Sequence, residues 1–210
     1  MPMYVLSFST ALNTPTSSTL RASPTRITSS SPNDIDRRPA WHQVYQGPPL
    51  KLEGSCQCGG VEFTLDSSTP VPYQLCACSI CRKIGGHIGA VNLGGIADSL
   101  KIKKGEGLIK KYNAIKDRGT KDEQKCSSER NFCSNCGSML WLWDKTWPEL
   151  IHPFASAIDT DLPVPEDMVC LMGDSKPAWA RWPEGRKQVY DQYPELSLED
   201  WHKKHNLFFE

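Results

Sequence analysis

The sequence lacks an excess of either charge, and it lacks long hydrophobic segments. Its 210 residues include 24 basic and 24 acidic side chains, so the formal net charge is zero. Proteins that bind nucleic acids usually carry a basic excess, which this chain does not have. No apolar segment approaches the roughly 18 residues that a membrane span needs, and the mean hydropathy is −0.46. We therefore expect neither a nucleic-acid partner nor a membrane partner.

The chain also lacks the features of a secreted, disulfide-bonded protein. Its first residues, MPMYVLSFSTALNTP, have neither a basic start nor a continuous apolar core, so secretion is not expected. Nine cysteines are present, and an odd number cannot pair completely. Clustered thiols in an intracellular, cytoplasmic protein are typical of metal binding rather than of disulfides.

Residues 1–40 form a biased segment in which no acidic residue precedes Asp34 and in which Ser, Thr and Pro are abundant. Two interpretations are open. One is a disordered arm, because the segment has too little apolar surface to fold. The other is a mitochondrial transit peptide, which is also rich in Arg and Ser and poor in acids, and which would place the protein in mitochondria.

The pattern changes near residue 50, where short apolar stretches alternate with glycine and proline. Such short strands with frequent turns predict a mainly β domain of antiparallel sheets over residues 50–185. One helix is predicted in the C-terminal extension, residues 186–210, where LSLEDWHKKHN (196–206) offers Ser197 as an N-cap. The strand candidates are VEFTL (61–65), IGAVNLGG (88–95), SLKIKKG (99–105), GLIKKYN (107–113), SMLWLW (138–143) and ELIHPFASAI (149–158).

Seven of the nine cysteines fall into three tight groups along the chain. Two of these are pairs, and each pair is followed by a glycine that allows the tight turn seen in zinc knuckles. The two pairs complete a Cys₄ set without remainder, which predicts a closed, structural zinc site that joins the two ends of the β domain. We call this set the four-cysteine group: Cys56, Cys58, Cys133 and Cys136.

The middle group, Cys76, Cys78 and Cys81, is called the three-cysteine group below. Three protein ligands with an open fourth position are typical of catalytic zinc, and a thiol bound there would be held as thiolate. Two other interpretations stay open: a closed site completed by Cys126 or His87, and a metal-free group that can oxidise. Cys126 is expected in a polar loop, GTKDEQKCSSER, as a bystander.

Several neighbouring residues are further candidates. Arg82 and Lys83 directly follow Cys81 and are predicted to hold a carboxylate of the substrate, the alternative being a surface pair without a role. Cys170 lies in an apolar stretch and is expected in the core. Five tryptophans either line a pocket or fill the core: Trp141, Trp143, Trp147, Trp179 and Trp182.

Together these motifs resemble the family of glutathione-dependent formaldehyde-activating enzymes (GFA), whose domain is shared with centromere protein V. The resemblance implies a β-rich zinc fold of coiled antiparallel sheets, with the four-cysteine group as structural zinc ligands and the three-cysteine group as catalytic zinc ligands. The chain departs from many members at Ala77, at Ser156–Asp159, and in lacking a His within residues 169–176. The motifs are GSCQCGGVEF (54–63), CACSICRKIGG (76–86), RNFCSNCGSMLW (130–141), IDTDLP (158–163) and KPAW (176–179).

The resemblance implies an enzyme of the carbon–sulfur lyase class, similar to S-(hydroxymethyl)glutathione synthase. Such an enzyme joins glutathione, or another thiol, to formaldehyde or a related small electrophile. Two alternatives remain: a lyase or cyclase that acts on a larger metabolite, and a zinc-stapled interaction module without turnover. Metal stoichiometry separates the enzyme from the module, because only the enzyme needs a second zinc.

Overall fold

Residues 49–165 and 167–204 are described by this computed structural model, and the predicted arm, residues 1–40, lies outside them. The described part is mainly β, as predicted, with two short α-helices, α1 (Ser79–Gly85) and α2 (Leu198–Lys204). No helix in these two ranges is long and apolar enough to cross a membrane. The strands are β1 (Leu50–Ser55), β2 (Glu62–Ser67), β3 (Gln74–Cys76), β4 (Ala90–Asn92), β5 (Gly95–Ile96), β6 (Lys101–Lys104), β7 (Ile109–Lys116), β8 (Gln124–Cys133), β9 (Met139–Trp143), β10 (Leu150–Pro153), β11 (Met168–Leu171) and β12 (Lys187–Val189).

The strands form three sheets. Their strand orders are β1-β2-β6, β5-β10-β9-β8-β7 and β12-β11-β3-β4. The first two sheets are antiparallel throughout, whereas β11 pairs in parallel with both β3 and β12. The sequence did not predict these parallel pairs. They form because the chain between β3 and β11 is long enough to return to the same edge, and parallel neighbours require such a crossover.

The main core takes apolar side chains from all three sheets, because strand alternation turns them to one face. Phe63 of β2 is 1% exposed, and Leu52 of β1 and Leu140 of β9 are fully buried. The Phe63 ring packs edge-on against Trp141, with ring centroids 5.0 Å apart. Full burial of each such side chain stabilises the fold by roughly 1.5–3 kcal/mol. The strand predicted at 61–65 is confirmed as β2, with bounds Glu62–Ser67.

The five-stranded sheet and the four-stranded sheet are joined next to β4. The Leu93 amide donates to the Pro153 carbonyl at 3.0 Å, and Asn92 forms an isolated bridge with Phe154. The His152 ring nitrogen Nδ1 lies 3.0 Å from the Leu93 carbonyl oxygen. The end of β10 is therefore held against the strand that pairs with β3.

Two local expectations have different outcomes. The predicted C-terminal helix is confirmed as α2, and the Asp200 amide donates to the Ser197 hydroxyl oxygen at 3.0 Å, as an N-cap requires. The expectation of a polar loop around Cys126 is wrong, because Cys126 lies within β8, which pairs with β7. Backbone pairing with β7 forms this strand, although the residues in its first half are polar and mostly exposed.

Candidate metal centres

The four-cysteine group joins the turn after β1 to the turn between β8 and β9. All four sulfur atoms lie within 4.8 Å of one another. Cys56 Sγ is 3.5 Å from Cys58 Sγ, and Cys58 Sγ is 3.9 Å from Cys133 Sγ. Sulfur atoms around a tetrahedral zinc with bonds near 2.3 Å are about 3.8 Å apart. The residues present therefore fit a zinc ion.

Each half of this group is closed by its own backbone turn. The Gly59 amide donates to the Cys56 carbonyl at 2.9 Å, and the Gly137 amide donates to the Cys133 carbonyl at 2.8 Å. Gly59 has φ +64° and Gly137 has φ +77°, a left-handed conformation that residues with a Cβ rarely adopt. The glycines noted in the sequence are therefore needed to turn both cysteine pairs toward a common centre.

Polar neighbours favour the thiolate form of the two exposed sulfurs in this group. The Asn135 amide Nδ2 donates to Cys58 Sγ at 3.2 Å and lowers the pKa of Cys58. Ser138 Oγ lies 3.2 Å from Cys136 Sγ, and this hydrogen bond lowers the pKa of Cys136 to about 5. Zinc binds the thiolate, so these contacts favour metal binding.

The three-cysteine group lies where β3 passes into α1. Cys76 ends β3, Cys78 is the N-cap of α1, and Cys81 lies in the first turn of that helix. The three sulfurs lie within 4.8 Å of one another, and the Cys81 amide is 3.4 Å from Cys78 Sγ. Cys76 and Cys81 are buried, whereas Cys78 is half-buried. One compact loop therefore brings together the three residues that the sequence predicted.

Contacts among these three thiols lower the pKa of one of them and raise the pKa of the other two. Hydrogen bonds from Cys76 and then Cys81 lower the pKa of Cys78 to about 2. Hydrogen bonding to Cys78 raises the pKa of Cys76 to about 11, and contact with Cys76 raises the pKa of Cys81 further. One thiolate is thus favoured at the expense of the other two. A divalent cation would stabilise all three as thiolates, and the donor set fits zinc.

Neither residue that would close the second site belongs to it. Across residues 49–165 and 167–204, no fourth Cys, His, Asp or Glu joins the three-cysteine group. Cys126 lies in β8, and the exposed His87 ring contacts Trp179, with centroids 6.2 Å apart. The described part of the chain therefore offers three cysteine ligands at this group.

The three-cysteine group lies at the edge where three parallel strands end. The Ala77 amide, after β3, donates to the Leu171 carbonyl of β11 at 2.9 Å, and the Gly173 amide donates to the Tyr190 carbonyl, after β12, at 2.9 Å. The chain then continues to Tyr193. Ligands commonly bind at such carboxyl ends of parallel strands.

Tyr193 is a residue that the sequence analysis missed. Desolvation, and then the charges of the three-cysteine group, raise the pKa of Tyr193. The residue is nevertheless 71% exposed. No periodic pattern marks Tyr193 in the sequence, because its position depends on the parallel pairing of β11 with β12.

Arg82 and Lys83 differ in their surroundings. The Arg82 atom Nη1 donates to the carbonyls of Ala77 and Ser175, which ties the cysteine loop to the short 3-10 helix Gly173–Ser175. Lys83 is exposed. Arg82 therefore helps to position the loop, and substrate binding by either residue stays a prediction.

The remaining candidates are placed as follows. Cys170 is fully buried, as predicted. Trp141 and Trp143 line a groove of about 610 Å³ that also includes Glu129 and Asn131. Trp141 is 5% exposed and also belongs to the core. This side chain therefore both lines a pocket and fills the core, the two alternatives considered for the tryptophans. Trp179 is 68% exposed.

The fold and the two cysteine groups define a β-rich domain that is able to hold metal at two thiol sites. Residues 51–170 match the sequence profile of the family named glutathione-dependent formaldehyde-activating enzyme. A Halomonas elongata protein, provisionally named as a glutathione-dependent formaldehyde-activating enzyme, is 46% identical over 161 residues, which cover 75% of this chain and 98% of that protein. The chain therefore belongs to the GFA family, and the resemblance seen in the sequence is confirmed.

A crystal structure of a Rhodobacter sphaeroides protein is also similar to part of the chain. The two sequences are 21% identical, and the superposition has a TM-score of 0.40. The matched part covers 54% of this chain and 92% of the Rhodobacter protein. At this TM-score the likeness adds no argument about the fold or the function.

Proposed function

We propose that the protein is a zinc-dependent enzyme of the carbon–sulfur lyase class that joins glutathione, or another thiol, to formaldehyde or a related small electrophile. The observation that carries this proposal is the three-cysteine group, whose sulfurs lie within 4.8 Å of one another without a fourth ligand from the described residues. Membership of the GFA family supports the substrate pair. The four-cysteine group would hold a second, structural zinc.

Zinc held by Cys76, Cys78 and Cys81 would supply Lewis acidity and would lower the pKa of a thiol in its open position. The reaction forms a carbon–sulfur bond and breaks the π bond of the aldehyde. The sulfur attacks the carbonyl carbon, and the proton of the thiol ends on the former carbonyl oxygen. No oxidant or reductant is needed.

The chain contributes position and charge to this reaction. β3 and α1 fix the three sulfurs on one loop, and Arg82 holds that loop through the Ala77 carbonyl. Guanidinium carries five N–H donors, so Arg82 retains donors for a ligand. Arg82 and the exposed Lys83 remain our sequence-based candidates for binding a substrate carboxylate.

The test compares wild type with Cys78→Ser, which removes the half-buried ligand with little change of shape. We expect about two zinc ions per chain to fall to about one, with glutathione binding and aldehyde adduct formation lost. The melting temperature should hardly change, because the four-cysteine group is intact. Zinc analysis, calorimetry with glutathione and adduct detection by mass spectrometry measure these outcomes.

Cys126→Ser is the matched control, because Cys126 is half-buried and lies outside both groups. It should retain both zinc ions and glutathione binding. If wild type holds one zinc and does not bind glutathione at millimolar concentration, the enzyme proposal fails. The zinc-stapled interaction module would then be the better account.

A further inference from the structure

Arg130, in β8, is a buried cation without a carboxylate partner in the described part of the chain. Its side chain is 6% exposed, and its atom Nη1 donates to the Ser128 hydroxyl oxygen at 2.7 Å. Within residues 49–165 and 167–204, Arg130 takes part in none of the ion pairs. The carboxylate of its neighbour Glu129 pairs with Lys111 instead. Burial of a guanidinium without a carboxylate partner is unfavourable, so we expect an anion to bind here.

Strand alternation determines the face of the sheet on which Arg130 lies. Glu129 and Asn131, its neighbours in β8, both line the groove beside Trp141. Successive side chains of a strand point to opposite faces, so Arg130 lies on the other face. There it is level with Tyr112 of β7 and Leu142 of β9.

This face is the one next to the three-cysteine group. Leu142 pairs with His152, whose ring contacts the Leu93 carbonyl, directly after β4. The first residue of β4, Ala90, pairs with Cys76. In addition, α1, which carries Cys81, contacts β7. The elements that hold the three cysteines therefore lie against the face that carries Arg130.

Tyr193 supports the same placement. After desolvation, which is the largest cause, the charges of the three-cysteine group raise the pKa of Tyr193, whereas Arg130 lowers it. A charge acts on a pKa only over a short distance in a protein. The phenol therefore lies within electrostatic range of both Arg130 and the thiols, at the exposed side of the site.

We propose that Arg130 binds a carboxylate of the thiol substrate, and that the site thereby selects thiols that carry a carboxylate. This inference rests on the proposed function, because it assigns the thiol to the open position of the three-cysteine group. A guanidinium pairs with a carboxylate through two parallel hydrogen bonds, and Arg130 uses one described donor bond, to Ser128. Arg82, in contrast, is bonded to two backbone carbonyls.

The experiment measures binding of glutathione and of its diester, in which both carboxylates are blocked, to the zinc-loaded full chain. We expect wild type to bind glutathione at least about tenfold more tightly than the diester. Arg130→Gln should weaken glutathione binding by about 30-fold or more, as expected for loss of one partner of a buried charge pair, and leave diester binding unchanged. Arg118→Gln, in the exposed turn after β7, is the matched control and should leave the selectivity unchanged.

Equal binding of glutathione and its diester to wild type overturns the proposal while the proposed function stands. Failure of wild type to bind either thiol overturns both. Should Arg130→Gln not fold, Arg130→Lys keeps the charge but removes the planar pair of donors. An unchanged selectivity in Arg130→Lys would then overturn the proposal, whereas a reduced selectivity with a wild-type melting temperature supports it.

Discussion

The two cysteine groups differ in how the chain brings their sulfurs together. In the four-cysteine group, Cys58 and Cys133 are 75 residues apart, yet their sulfurs are separated by 3.9 Å. In the three-cysteine group, all ligands lie between Cys76 and Cys81 on one loop. A link between distant residues closes a long loop and removes more chain entropy from the unfolded state than a local link does. Metal at the first group should therefore stabilise the whole fold, and metal at the second should be almost independent of it.

The groups also differ in which sulfurs reach the surface. Cys58 and Cys136 are exposed, but two glycine turns and the side chains of Asn135 and Ser138 hold them in place. Cys76 and Cys81 are buried, and only Cys78 is partly accessible. Exposure alone therefore does not identify the reactive group. We base the proposed function on the number of protein ligands instead, because a zinc ion with three protein ligands would keep a position for a substrate.

The largest expected effect comes from Cys133→Ser, which removes a fully buried thiol of the four-cysteine group at the end of β8. Metal binding and folding are coupled when the ligands come from distant parts of the chain. We expect loss of cooperative unfolding and of soluble protein, measured by thermal denaturation and zinc content.

The control for this variant is Cys126→Ser, seven residues earlier in the same strand. Cys126 is half-buried and outside both groups, so the change should alter the free energy of unfolding by less than about 1 kcal/mol. If Cys133→Ser melts like wild type with unchanged zinc, the structural role of the four-cysteine group is refuted.

The next effect is a two-step loss of metal during graded chelation. We expect the first zinc to leave the three-cysteine group without a change in circular dichroism, and the second to leave with unfolding. Alkylation after the first step, followed by peptide mass mapping, should therefore modify Cys76, Cys78 or Cys81. Modification of Cys58 or Cys136 at that stage would show that the four-cysteine group loses its zinc first, which contradicts the prediction.

The two cysteine groups could be predicted from the sequence because their information is local. Each pair with its glycine, and the triplet Cys76–Cys81, is visible as a short motif, and counting then assigns the pairs to each other. The strand at 61–65 was predictable for a similar reason, since alternation places Phe63 and Leu65 in the core.

Features that depend on distant pairing were not predictable. β8 carries mostly polar side chains, so the sequence around Cys126 suggested a loop, whereas the strand forms through its ladder with β7. Tyr193 has no motif either, since the position of the chain after β12 depends on the parallel pairing of β11 with β12. Arg130 begins the motif RNFCSNCGSMLW (130–141), but only the cysteines of that motif were assigned a role. The face of the sheet on which Arg130 lies depends on the pairing of β8 with β7 and β9.

A smaller effect is expected for Ser138→Ala, which tests the support of the four-cysteine group. Ser138 Oγ accepts a hydrogen bond from the Gln57 amide at 3.0 Å and contacts Cys136 Sγ at 3.2 Å, so it links the two halves of the group. Loss of these bonds should cost about 1 kcal/mol of unfolding free energy, measured by denaturant titration. Ser134→Ala, in the same turn but exposed, should have no measurable effect, and an equal effect of both variants would contradict this account.

The smallest expected effect is that of removing the arm, residues 1–40. These residues lie outside the described part of the chain, so this prediction depends on composition: a segment rich in Ser, Thr and Pro has little apolar surface to bury. A chain that starts at Trp41 should keep both zinc ions and the wild-type melting temperature. The opposite end is the control, because a chain that stops after Glu184 loses β12, which pairs with β11, and should melt several degrees lower. If removal of the arm lowers the melting temperature by a comparable amount, the arm contributes to the stability of the fold. The four-cysteine group would then not account for that stability by itself.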